Sequence, residues 1–88
     1  MKQKLIVGNW KMNGSQAANA ALLQAIKQGL PAGNKAGVAV AAPAAYLAQV
    51  QAELAGSAIG VGAQDVSEFA KGAYTGETSA TMLRDFAC

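Results

Sequence analysis

With 88 residues and a mass of 8.9 kDa, the chain holds one small domain or part of a larger one. Apolar residues make up 52% of it and charged ones 14%, against roughly 25% charge in an average globular chain, which argues against intrinsic disorder. The net charge of +2 comes from Lys and Arg scattered from Lys2 to Arg84 with no basic block, and the single Cys88 stands in a chain without His; nucleic-acid binding, a disulfide framework and a Cys/His zinc cluster therefore have no footing.

The first apolar run, Leu5-Ile6-Val7-Gly8-Asn9-Trp10, is partly β-branched and predicts a buried strand. It is far too short for a signal or membrane segment, so a cytoplasmic location is the default. Asn13-Gly14-Ser15 supplies a turn and an N-cap. Ala18, Leu22, Ile26 and Leu30, with Leu23 beside them, then trace one face of a helix from Gln16 to about Leu30, ended by Gly29 and Pro31.

The order repeats. Val38–Ala42 reads as a strand with small residues on one side, and Pro43 suits the first turn of a helix. Leu47, Val50 and Leu54 line that helix, with Gly56 beyond its end. Ile59–Ala63 opens a third unit, in which Gly60 and Gly62 leave room for close packing. A long polar stretch, Gln64 to Thr78, leads to a short helix capped by Thr78 or Ser79, with Met82, Leu83 and Phe86 on one face.

Three strand–helix units predict an α/β layer of parallel strands joined by right-handed crossovers. Three helices cover one face of such a sheet. The other face and both edges stay open, so the chain reads as a section of a larger sheet or barrel. Its many Ala and Gly residues and few aromatics point the same way.

Ligands of parallel α/β folds bind at the carboxyl ends of the strands. Asn9 and Lys11 fall at the first of these, two positions apart, which in extended backbone turns both side chains the same way. An amide and an ammonium aimed at one point suit an anionic substrate with a polarisable oxygen. On spacing alone a solvated loop lysine and a turn asparagine are the simpler account. A P-loop fails, because Gly8 and Gly14 are one residue too far apart and Ser15 is not preceded by Lys. Gly60-Val61-Gly62 lacks the third glycine of a dinucleotide fingerprint and runs into a loop. Asp65, Glu68 and Glu77 form a loose acidic set without metal-ligand spacing, and Cys88 has no neighbouring base. Trp10 and Tyr46 are expected to pack. The stretch from Phe69 to Glu77 is long for a strand–helix loop and mixes aromatics with Gly and Thr, which suggests function or docking.

Gly8-Asn9-Trp10-Lys11-Met12-Asn13-Gly14 resembles the first strand and loop of the triosephosphate isomerase family. Gly62-Ala63-Gln64-Asp65, with Gly72-Ala73-Tyr74-Thr75-Gly76-Glu77 and Ser79, resembles its third strand and third loop. The resemblance covers essentially the whole chain. It implies a partial TIM (β/α)8 barrel, a fold of about 250 residues, with residues 1–88 as the N-terminal part of one barrel domain. It also implies interconversion of dihydroxyacetone phosphate and glyceraldehyde 3-phosphate through an enediolate, with no cofactor and no metal. Lys11 would attract the phosphate and stabilise charge on the substrate, and Asn9 would hydrogen-bond the substrate near its reacting oxygens. The loop carrying Tyr74, Thr75 and Glu77 would enter the partner of a homodimer, where Thr75 supports the partner's copies of the Asn and Lys.

The family, itself the standard illustration of these devices, works with a carboxylate base, a neutral His and a closing loop. This sequence has no His, and Glu53, Glu68 and Glu77 do not stand at the base position. The 88 residues alone are expected to be inactive, since losing a general base removes about 10²–10⁴-fold in rate. The alternative is a non-catalytic αβ unit that self-associates through its open sheet edges and long loop.

Overall fold

The computed structural model describes residues 3–31 and 33–88, so Lys2, one of the scattered cations, lies outside the described residues. The elements are strand β1 (Leu5–Asn9), helix α1 (Gln16–Gly29), strand β2 (Gly37–Ala41), a 3₁₀ turn (Ala44–Tyr46), helix α2 (Leu47–Leu54), strand β3 (Gly60–Gly62) and the short helix α3 (Ala80–Arg84). The strands form one parallel sheet in the order β1-β2-β3. This is the α/β arrangement of three parallel strand–helix units that the sequence predicts.

Register sorts the two faces. Leu5 to Asn9 pair with Gly37 to Ala41, and Ala39 to Ala41 with Gly60 to Gly62. Side chains alternate along a strand, so Val38, Val40 and Val61 share one face. Leu5, Val7, Asn9, Ala39, Ala41, Gly60 and Gly62 share the other. The core lies on the first face, where Val40, Ala42, Leu47, Val50, Leu54, Ile59, Leu23 and Leu83 are buried. The second face contributes nothing to that core.

Each helix starts and stops for a local reason. Ser15 is extended and its Oγ accepts the Ala18 N–H at 3.1 Å, capping α1. At the other end the Leu30 N–H still reaches the Ile26 carbonyl at 3.1 Å, and Pro31 cannot continue the helix. Pro43 does not enter a first helical turn. Its ψ of 145° keeps it extended, and its carbonyl instead accepts the Tyr46 N–H at 2.9 Å to close the 3₁₀ turn that leads into α2. Gly56, at φ +79°, is the left-handed residue just past the end of α2. Ser79, rather than Thr78, caps α3 through its Oγ and the Met82 N–H, because the Thr78 carbonyl is taken by the Ser67 N–H at 2.8 Å.

Three sequence expectations are corrected. Within these 88 residues β1 is exposed, not buried: Leu5, Ile6 and Val7 are 67%, 61% and 50% accessible, because β1 packs against β2 and has no helix laid closely over it, as α2 is over β3. The buried face of α1 keeps the predicted Leu23, Ile26 and Leu30 but is rotated in its first half, with Asn19 inside and Ala18 and Leu22 exposed. The cause is polar. Asn19 Nδ2 donates to Gln49 Oε1 at 3.1 Å, Gln49 Nε2 donates to the Gln16 carbonyl at 2.7 Å, and these bonds turn α1 onto α2 along the Asn19 side. In α3 only Leu83 is buried and Met82 stays half-exposed, since a five-residue helix buries little more than one position; Phe86, in the turn beyond α3, is half-buried.

Gly60 and Gly62 lie on the face away from the helices. A Cβ at Gly60 would come within 3.3 Å of the Ala39 Cβ, so the close packing expected there is between neighbouring strands. Trp10 and Tyr46 pack against the core as expected.

Candidate functional site

Asn9 is the last residue of β1, opposite Ala41 at the end of β2. One residue past each strand, Trp10 N–H donates to the Ala41 carbonyl and Ala42 N–H to the Gly62 carbonyl, both at 3.0 Å. The three carboxyl ends are thus held level, and Asn9, Lys11 and Gln64 meet there.

Lys11 is not extended. Its φ is +55°, a left-handed conformation that costs an L-residue with a Cβ about 1–2 kcal/mol. Strand alternation therefore stops before it and cannot be what orients Asn9 and Lys11 together. They are joined by a direct bond instead: the Lys11 N–H donates to Asn9 Oδ1 at 2.9 Å. The next turn is tied back as Asn13 Nδ2 donates to the Trp10 carbonyl at 2.9 Å.

Gln64 completes the arrangement. Counting by two from Gly60 and Gly62 puts it on the Asn9 face. From β3 to β1 is about 9.6 Å, two strand spacings, and the small Ala41 lies between. The Gln64 amide crosses over, and Nε2 donates to the Lys11 carbonyl at 2.9 Å and the Ala41 carbonyl at 3.1 Å, with Asn9 Oδ1 at 3.3 Å. Sequence reasoning placed Gln64 in a polar stretch and in the motif that resembles the family's third strand and loop, without a role at the site. Its period-two spacing from Gly60 was the available signal, but it has meaning only once the register is known.

These contacts decide what Asn9 can offer. Its Oδ1 is engaged by N–H donors, which fixes the amide orientation and leaves the Nδ2 hydrogens to donate outward. Lys11 adds a cation, so the site presents donors and positive charge to an anion or a carbonyl oxygen. A cleft of about 250 Å³ opens beside Gln64, with Asp65, Ser67, Glu77 and Thr78 also among its walls, and neither Asn9 nor Lys11 lines it.

The remaining predicted residues lie in the long loop. Its base is closed by Ser67 N–H on the Thr78 carbonyl, and its tip turns through Tyr74 to Glu77, with the Glu77 N–H on the Tyr74 carbonyl at 3.0 Å. Tyr74 stacks on Phe69 with ring centroids 4.1 Å apart and planes 3° from parallel, and both rings are about two-fifths exposed. Thr75 and Glu77 are exposed. Among the described residues no hydrogen bond joins Tyr74, Thr75 or Glu77 to Asn9 or Lys11. No group of three or more His, Cys, Asp or Glu residues there could hold a metal ion, and no helix is long and apolar enough to cross a membrane. Slight burial pushes the Cys88 thiol above its ordinary value, which disfavours a thiolate.

A family profile described as triosephosphate isomerase matches residues 4–88. The chain is similar to the triosephosphate isomerase of Delftia acidovorans, 76% identical over 86 residues that are 98% of this chain and 35% of that protein. It is also similar to the triosephosphate isomerases of Paracidovorax citrulli, at 64% identity over 97% of this chain and 35% of the relative, and of Cupriavidus necator, at 60% over 100% of this chain and 35% of the relative. The chain thus spans about a third of the length of the curated relatives it matches.

Proposed function

The chain belongs to the triosephosphate isomerase family, and on that premise we propose that it supplies the first three strand–helix units of one barrel domain that interconverts dihydroxyacetone phosphate and glyceraldehyde 3-phosphate. The observation that carries this is the junction of Asn9 and Lys11 at the carboxyl end of a parallel sheet, with Lys11 pinned in a left-handed turn by the Asn9 side chain.

Isomerisation moves a proton between adjacent carbons and passes negative charge onto the substrate oxygens. The Lys11 ammonium draws in the phosphate dianion and offsets the growing charge, and Asn9 Nδ2 donates to a substrate oxygen. The Asn9 amide and the Lys11 backbone are held before substrate arrives, so less reorganisation is left for the reaction itself. The proton-transferring base lies in the part of the barrel outside these residues, and the chemistry takes no cofactor. The exposed Phe69–Tyr74 stack supports a homodimer in which the loop with Tyr74, Thr75 and Glu77 docks on a second copy. A cytoplasmic location fits a pathway of small phosphorylated metabolites.

The test grafts residues 1–88 onto the Delftia acidovorans relative in place of its matching segment. The chimera should isomerise glyceraldehyde 3-phosphate, and Lys11→Ala within it should lower kcat/KM about 10²–10³-fold, the usual cost of removing one preorganised charge-stabilising donor. Unchanged kinetics in Lys11→Ala would overturn the assignment. A folded but inactive chimera would favour a non-catalytic assembly unit, the alternative to which the exposed Leu5-Ile6-Val7 edge lends itself.

A further inference from the structure

Given the isomerase function proposed above, we infer that Gln64 is a positioning residue that sets the direction of Lys11 and the donor face of Asn9. Lys11 stands at φ +55°, where a lysine backbone does not rest unaided. It is gripped on both sides. Its N–H is held by Asn9 Oδ1 at 2.9 Å, and its carbonyl by Gln64 Nε2 at 2.9 Å. The same nitrogen lies 3.3 Å from Asn9 Oδ1 and 3.1 Å from the Ala41 carbonyl, so one amide group is anchored to the end of β2 while touching both proposed substrate-binding residues.

The chemistry of the partners determines the amide's orientation. Three oxygen acceptors surround one end of the Gln64 side chain, so that end must be the NH₂ group. Without it the Lys11 carbonyl has no protein donor here, and the peptide can rotate toward the ordinary right-handed or extended regions. Such a rotation swings the Cα–Cβ vector of Lys11 and carries the ammonium off the line on which it meets the phosphate. Asn9 Oδ1 keeps the Lys11 N–H and loses only the longer 3.3 Å contact to an amide whose two hydrogens face the Lys11 and Ala41 carbonyls, so its amide is held less tightly. Gln64 is itself exposed and outside the apolar core. Its bonds therefore act on the geometry of the site rather than on the burial that stabilises the sheet.

The test uses Gln64→Met, close in volume but without donors, and Gln64→Ala, each in the chimera described above. Misplacement of a charged group by about 1 Å costs up to ~10²-fold, so kcat/KM for glyceraldehyde 3-phosphate should fall about 10- to 100-fold. The KM and the competitive Ki of inorganic phosphate should both rise, while the thermal midpoint changes little. Gln64→Met combined with Lys11→Ala should be barely slower than Lys11→Ala alone, because Gln64 acts through Lys11. Wild-type kinetics in both Gln64 variants, or full additivity with Lys11→Ala, overturns the inference. So does a variant that fails to fold, since it shows that the contacts carry the sheet and not the site. If Lys11→Ala itself keeps wild-type activity, the isomerase assignment of the site is what fails.

Discussion

On the helix-covered face of the sheet, Val40, Leu47, Val50 and Leu54 are at most 3% exposed, whereas at the strand ends Asn9, Lys11 and Gln64 are all open to solvent and tied together by one backbone N–H and one amide NH₂ through contacts of 2.9 to 3.3 Å. Both regions grow from the same strands, yet different forces shape them. Apolar burial is non-directional and scales with area, at roughly 25 cal/mol per Å². It holds the helices on the sheet without fixing where any one polar atom points. An exposed hydrogen bond adds only about 1 kcal/mol net, but its partners must meet within a few tenths of an ångström and a narrow angle. Stability resides mainly in the first region and site geometry in the second, so substitutions should separate the two.

The largest expected separation comes from Leu23→Ala. Leu23, on α1, is fully buried in the core cluster where α1 packs on α2, and in the chimera its truncation should cost about 2–5 kcal/mol in urea unfolding while leaving kcat of the folded molecules intact. A loss below 1 kcal/mol would show that the face relaxes around the gap and is not the close-packed core described.

Gly14→Ala should break the separation, because Gly14 sits between the regions. Its φ is +132°, and an added Cβ would meet Asn19 Oδ1 at 2.6 Å and Tyr46 at 3.2 Å. A strained backbone of this kind costs about 1–3 kcal/mol. The loop from Lys11 to Ser15 should shift with it, so both the unfolding midpoint and KM should move; a change in only one of them would show that the turn and the site are mechanically independent.

The smallest effect belongs to Ser15→Ala, which removes the Oγ that accepts the Ala18 N–H. About 1 kcal/mol of stability should go, with KM unchanged, and Ser15→Asp should restore the midpoint. A cap loss that raises KM would mean that α1 helps to position Lys11.

Much of the fold is legible in the chain. The boundaries of α1 follow from Ser15 and Pro31, and the end of α2 from Gly56, because caps and breakers act through one or two neighbouring residues. The rotated face of α1 is not legible. Spacing favours Ala18 and Leu22, but a polar residue, Asn19, goes inside because Gln49, 30 positions away, satisfies it. Exposure of β1 escapes the sequence for a related reason. An apolar run announces a strand that can be buried, and only the neighbours decide whether it is. The site divides in the same way. Asn9 and Lys11 stand out as polar groups at a strand end. The left-handed turn at Lys11 does not, since nothing in a lysine favours positive φ.

By itself, then, the sequence determined the order of the elements, most of their ends and which polar groups stand at the first strand's end, since these depend on residues close together in the chain. The tertiary structure decided which faces close, which strand lies at the edge, and that Gln64 reaches across β2 to hold Lys11. Those outcomes depend on strand pairings such as Asn9 with Ala41 and Ala41 with Gly62, and on bonds across them that join residues 53 to 55 positions apart, and no local pattern carries a register.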